Sequence, residues 1–259
     1  VSIIGAGNVS YGLAAALSKH FKLDYIFSRS PGPAIKLAKR VKAKYSKELN
    51  EVLKSDTVII AVTDDSIVQV ANAISPLNKK HKLILHTSGT VSSEVLAQCS
   101  LNYGVLYPLQ TFTKGRKIDL KKVPMCILGS NGKSLKNIHF IASQLSEEVL
   151  YMSDEERQSI HLPAVMVNNF INHILYQVEK IVESSDLDIK LFYPLLQETL
   201  NKFKLDGAFN SQTGPARRRD LKTIEKHLNL LVEEADMKRI YQAITESIIN
   251  TYHEDNRGD

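Results

Sequence analysis

Gly5-Ala6-Gly7-Asn8-Val9-Ser10 is the first stretch of this 259-residue chain whose residue types and spacing suit chemistry. It stands between a β-rich run, Val1-Ser2-Ile3-Ile4, and an amphipathic run over residues 8–20. The first glycine permits a tight turn, and the second lets a pyrophosphate approach the backbone at a helix N-terminus. The third position needs only a small side chain, which Ser10 supplies. The pattern predicts a dinucleotide held by Gly5, Gly7, Asn8 and Val9. At the end of the second strand, an acidic residue would receive a ribose 2′-hydroxyl. This chain reads Phe27-Ser28-Arg29-Ser30 there, and its nearest acid, Asp24, enters that strand from the opposite end. A guanidinium fork between two hydroxyls suits a 2′-phosphate. Ser28, Arg29 and Ser30 therefore point to NADP rather than NAD.

Further polar groups follow other strands. Thr63-Asp64-Asp65 comes after a buried β-branched run, so Thr63 and Asp64 are expected to border the cofactor, with Asp64 capping the next helix. His86-Thr87-Ser88-Gly89 ends the following strand. Such a loop can face a nicotinamide, with His86 as a general acid and Ser88 on the substrate side. The bland reading is a satisfied loop histidine. Tyr107-Pro108-Leu109-Gln110-Thr111-Phe112 closes another strand and is expected to line a cleft. Further on, His161, Asn168 and Asn172 fall within about 40° of one another at 100° per residue, flanked by Asn169 and His173. Asparagine inside a helix goes against propensity, so the row needs partners: a substrate, or a second helix in a hydrogen-bonded seam. Asn169 and His173 are the substrate-side candidates. In Gln212-Thr213-Gly214-Pro215-Ala216-Arg217-Arg218-Arg219-Asp220, Gly-Pro predicts a rigid turn and Asp220 a helix cap, and the arginines cannot all point one way.

Two architectures must hold these groups. In residues 1–152, strand-like runs (1–4, 23–27, 57–62, 82–85, 103–107, 125–128, 149–152) alternate with helical ones (8–20, 31–42, 65–74, 134–145), which predicts an α/β fold. Its expected form is a doubly wound, mostly parallel sheet covered on both faces. Residues 153–259 show no strand. Ser153 and Glu156 form a capping-box signature before a helical stretch reaching residue 184. Apolar residues recur four and three apart from Ile160 to Ile181, and Pro163 is expected to kink the stretch near Ser159. Helices over 189–203, 221–231 and 235–252 complete an all-helical half suited to substrate binding and to a homodimer.

Composition bounds the function. Hydrophobic residues make up 43% and charged residues 24%, a globular balance with no apolar run of membrane length. No signal peptide is read at the start of the chain. Two cysteines make neither a disulfide framework nor a zinc cage, so no metal site and a reducing cytoplasm are expected. The net charge of +5 comes from scattered lysines without aromatic interleaving, which speaks against nucleic acid and for anionic small molecules.

Taken together, Gly5 to Ser10, His86 to Gly89, Tyr107 to Phe112, Asn168-Asn169-Phe170-Ile171-Asn172-His173, Pro194-Leu195-Leu196-Gln197-Glu198-Thr199, and Gln212 to Asp220 with His227 carry a resemblance over nearly the whole chain. The chain resembles the Rossmann-fold NADP oxidoreductases with a helical C-terminal domain of unknown function. These are relatives of pyrroline-5-carboxylate reductases, ketopantoate reductases and β-hydroxyacid dehydrogenases. The resemblance implies NADP more firmly than a reaction. It does not carry an acid–base role to Tyr107, where many members have histidine, nor a helix lysine, since Asn168 or Asn169 stands there. Pro163 replaces an alanine-like position. The expected function is hydride transfer between NADP and a small carbonyl, imine or hydroxy acid, in a cleft between the halves. The alternative is a non-catalytic NADP-binding sensor or scaffold.

Overall fold

A computed structural model describes residues 1–78, 82–185 and 187–253. Strands and helices alternate from the start: β1 (Ser2–Ile4), α1 (Asn8–Leu17), β2 (Tyr25–Phe27), α2 (Pro31–Arg40), β3 (Lys44–Ser46), α3 (Leu49–Val52), β4 (Thr57–Ile60) and α4 (Asp64–Ile74). Then come β5 (Leu83–His86), β6 (Tyr103–Pro108), β7 (Met125–Gly129), α5 (Gly132–Leu145) and β8 (Val149–Tyr151). The strands form one sheet in the order β3-β2-β1-β4-β5-β6-β7-β8. Every pair is parallel except β6 with β7, which sets Tyr107 opposite Cys126. The sheet is thus the doubly wound Rossmann type, with its reversal of strand order between β1 and β4.

Burial follows the alternation. The central strands are apolar on both faces: Ile3 and Ile59 pack in one cluster with Leu13 and Leu37, while Ile4, Val58 and Ile60 pack in another with Ile67 and Ile74. Lys44-Tyr45-Ser46 carries no apolar run, which is why the edge strand β3 and short α3 escape a sequence reading. Gly12 lies where α1 meets the segment after β6; a Cβ there would come within 2.3 Å of the Phe112 ring. Phe112 is accordingly buried in the core and does not line a cleft.

The helical part begins with α6 (Asp154–Val165), whose Ser153 and Glu156 form the expected capping box. Pro163 sits inside α6, and a π-helical turn over Met166–Phe170 follows before α7 (Ile171–Glu183). A π turn is wider than an α turn and breaks the 100° phase on which the polar row was counted. The chain divides into compact units after Phe170, so α6 belongs with the sheet. In the second unit, α8 (Tyr193–Ser211) carries a break at Gly207, whose φ is +73°. After it come α9 (Leu221–Leu230) and α10 (Ala235–His253). Asp220 caps α9 as expected, accepting from the Thr223 N–H, and the Arg217 guanidinium stacks 4.2 Å over the Tyr252 ring. Among the described residues, no helix is long and apolar enough to cross a membrane.

Candidate functional site: a dinucleotide cradle

The loop between β1 and α1 needs two different glycines. Gly5 has φ +121°, donates its N–H to Phe27 O at 2.8 Å, and leaves no room for a Cβ, which would sit 2.1 Å from Ala61 O. Gly7 is the opposite case, since a Cβ there would meet nothing within 4 Å. It precedes α1 without a side-chain cap. The first N–H groups of the helix therefore lack a cap and face open space, the arrangement that receives an anion. Ser10 is fully buried and donates its hydroxyl to Ala61 O at 3.0 Å, tying α1 to β4.

Gly5 and Gly7 line a cavity of about 670 Å³ that reaches along the carboxyl ends of β1, β2 and β4. That volume suits a small-molecule or cofactor site. Gly5, Gly7, Asn8, Val9, Ser28, Arg29, Ser30 and Thr63, eight of the nine expected cofactor residues, border it. Arg29 and Ser30 are exposed just before α2. Asp24 is turned away, accepting from the Ser55 hydroxyl. Lys114 also stands on the cavity wall, its Nζ 5.3 Å from the Tyr11 ring centroid. It comes from a segment without sequence pattern, and no signal in the chain points to it.

Asp64 is the exception. Thr63 precedes α4 in the capping position, without a side-chain bond to the helix backbone, and Asp64 is the first helical residue. Its carboxylate accepts from the Thr90 hydroxyl at 2.7 Å, so it braces the loop after β5 and does not cap. That loop is itself more internal than expected. His86 is fully buried; its Nδ1 accepts from the Ser88 N–H at 3.2 Å. Burial, with the Arg157 guanidinium adding to it, pushes the imidazole down to about 4, so the ring is neutral at pH 7. Ser88 is buried as well and accepts from the Thr90 and Val91 N–H groups. Ser88 is thus used in shaping the loop, while His86 Nε2 is buried with no hydrogen-bond partner among the described residues, so burial sets His86 apart from the exposed proton donor expected.

A buried ion pair fixes the loop from the other side. Asp154 accepts from the Ser92 hydroxyl at 2.7 Å and the Ser93 N–H at 2.8 Å. Arg157, 1% exposed, pairs with Asp154 at 2.6 Å and donates to Val91 O. One turn further along α6, His161 Nδ1 lies 3.4 Å from the Tyr107 hydroxyl. Asn168 and Asn169 are exposed on the π turn, 3.4 Å apart. His173, in the second unit, is exposed with Gln177 Nε2 at 3.3 Å from its Nε2.

Comparison with known proteins agrees with this geometry. Residues 1–89 match the family described as NADP oxidoreductase, coenzyme F420-dependent. Residues 123–248 match a domain of unknown function, DUF2520. Over 96% of this chain and 97% of the other, the fold superposes on a putative NADP oxidoreductase from Bacteroides fragilis with a TM-score of 0.91 and 33% identity. The chain belongs to this NADP oxidoreductase family.

More distant solved structures extend the likeness. A Thermotoga maritima protein shares 23% identity at a TM-score of 0.69, over 99% of each chain. A reductive aminase from Aspergillus terreus, solved with NADPH and ethyl-5-oxohexanoate, shares 17% identity at a TM-score of 0.70, over 99% of this chain and 94% of the other. At these identities the likeness is one of fold. A search of curated proteins finds no match. Within the family's NADP-binding unit, the residues present fit the cofactor: the cradle at Gly7 is open, and Arg29 has no ion pair among the described residues.

Proposed function

We propose that the protein is an NADP-dependent oxidoreductase that transfers a hydride between the nicotinamide and a small carbonyl, imine or hydroxy-acid substrate. The observation that supports it is the open helix N-terminus behind Gly7, in a cavity that runs to Arg29. The backbone of Gly5, Gly7, Asn8 and Val9 would hold the pyrophosphate, and Ser28, Arg29 and Ser30 the 2′-phosphate, with Thr63 on the far wall. The bound nicotinamide supplies the hydride acceptor or donor. Asn169 and His173, both exposed, are the polar groups the helical run offers to a substrate. We also propose a homodimer, because no residue of α8 is buried and Leu195, Leu200 and Phe203 stand exposed along it. A cytoplasmic setting is supported by Cys99 and Cys126, both buried and free.

Arg29→Ala is expected to weaken NADP binding by about 1.5–3 kcal/mol, the scale of a hydrogen bond to a charged group, and to leave NAD binding nearly unchanged. A fluorescence titration that finds equal losses for both dinucleotides would overturn the assignment of the 2′-phosphate. The second reading, a non-catalytic NADP-binding sensor, draws on the burial of His86 and Ser88. A screen of small carbonyls and imines, followed by reduced-nicotinamide absorbance, separates the two: turnover favours the enzyme, and binding without turnover favours the sensor.

A further inference from the structure

Strand order gives the cradle a direction. Arg29 follows β2 and the glycine loop follows β1, so a dinucleotide with its 2′-phosphate at Arg29 runs toward β4, β5 and β6. Neighbouring strands lie about 4.8 Å apart, so the step from β2 to β5 is roughly 14 Å along the carboxyl edge. Beyond β4 on that edge, three groups from separate parts of the sequence converge. Gly89 comes from the loop after β5, Tyr107 from the carboxyl end of β6, and His161 from α6. The Tyr107 hydroxyl is 3.4 Å from His161 Nδ1, and the ring centroids are 6.4 Å apart. Both side chains are half-buried. A Cβ on Gly89 would stand 2.6 Å from His161 Nδ1 and 2.9 Å from Tyr107 Cζ. Bare backbone at residue 89 thus admits the pair.

The pair is held by groups already described. Asp154 and Arg157 clamp the first turn of α6 to Val91, Ser92 and Ser93, on the loop that carries Gly89. His161 follows Arg157 by four residues and so faces the same way. The charged and titratable groups felt by Tyr107 are the Cys126 thiol opposite it on β7, Arg157 and Asp64; burial is the largest influence and pushes the phenol up. Tyr107 therefore keeps its proton at neutral pH and is a donor.

We infer that Tyr107 and His161 form a proton-transfer pair facing the nicotinamide end of the NADP site, an assignment that rests on the NADP reading above. As a carbonyl or imine carbon gains its hydride, the π electron pair moves to the oxygen or nitrogen. That atom takes the Tyr107 hydroxyl proton. The phenolate takes a proton from His161, and His161 regains one from a solvent water, which leaves as hydroxide. One hydride and one proton enter the substrate, and the protein returns to its starting state. A 3.4 Å approach is long for a hydrogen bond, and such pairs are commonly loose before the substrate arrives.

The test uses the full chain with isotope-labelled histidine and three ligands: NADP⁺, NADPH and adenosine 2′,5′-bisphosphate, which lacks the nicotinamide. The His161 ring signals, assigned with His161→Gln, are expected to move with both dinucleotides and to stay in place with the bisphosphate. The cationic ring of NADP⁺ should move the His161 ring signals further than NADPH does at the same saturation. Tyr107→Phe should move those ring signals in the free protein while NADP affinity stays within about twofold. Gly89→Ala, whose methyl wedges the pair, should do the same while both side chains remain. If the dinucleotides bind and His161 responds no more than it does to the bisphosphate, the pair does not face the nicotinamide. Ring signals indifferent to both substitutions would show that the two groups are not coupled. If none of the three ligands binds, the NADP reading falls, and this assignment with it.

Discussion

The two compact units meet their apolar surface in opposite ways. In the first, both faces of the sheet are sealed by clusters of residues with almost no exposure, such as Ile3, Leu13, Ile59 and Leu106 on one side and Ile4, Val58, Ile67 and Ile84 on the other. In the second, Val182, Ala216, Ile224 and Leu231 are the buried apolar residues among those described, while Leu195, Phe203, Leu205 and Leu230 stand in the open. Fully burying one leucine or phenylalanine stabilises by about 1.5–3 kcal/mol, so each of these exposed side chains is one whose burial would add stability. The contrast separates a unit with two closed apolar clusters from one with few buried apolar residues, on which the proposed homodimer would draw.

The largest effect should come from the buried ion pair of the first unit. Arg157→Ala leaves Asp154 without its cation and is expected to lower stability by about 3–5 kcal/mol in urea melts. Association, read by light scattering, should not change; a shift to monomer would mean that the first unit takes part in the proposed homodimer. Acid should act on the same unit. His86 is held near 4 when folded and returns toward about 6.5 when unfolded, so the unfolded state binds the extra proton as pH falls. Its contribution is whole above about pH 6.5, and roughly 2–3 kcal/mol should be lost by about pH 4.5. His86→Gln should flatten that slope, and an unchanged slope would show that another group governs it.

Phe203→Asp tests the second unit. It should weaken self-association by about 1.5–3 kcal/mol, or roughly ten- to a hundredfold, and leave NADP binding intact. Sedimentation that finds the unmodified protein monomeric at micromolar concentration would break the contrast altogether. The smallest effect is local. Asp220→Ala removes the cap of α9 and should cost about 1 kcal/mol, seen as faster amide exchange in that helix.

Much of the first unit is legible in the sequence because its signals are local. The glycine loop, the β-branched run over Thr57–Ile60 and the serine–arginine–serine end of β2 each reveal their part within a few residues. What is hidden depends on distant segments. Nothing near His86 tells that Asp154 and Arg157, some seventy residues on, close over its loop. Tyr107 and His161 are 54 residues apart and meet through the packing of α6. The polar row from His161 to Asn172 reads as one face only if every turn is an α turn, and the π turn at Met166–Phe170 makes that count fail.

The missing side chain of Gly12 has a hereditary consequence. Its hydrogen makes the space that Phe112 occupies, and two residues later the same segment presents Lys114 to the cofactor cavity. A methyl at residue 12 would displace the aromatic ring and take the cation with it. Residues 12 and 112 are therefore expected to change together among descendants of this chain, a larger residue at one accompanied by a smaller at the other. The charge lining the cavity wall would drift only where both had moved.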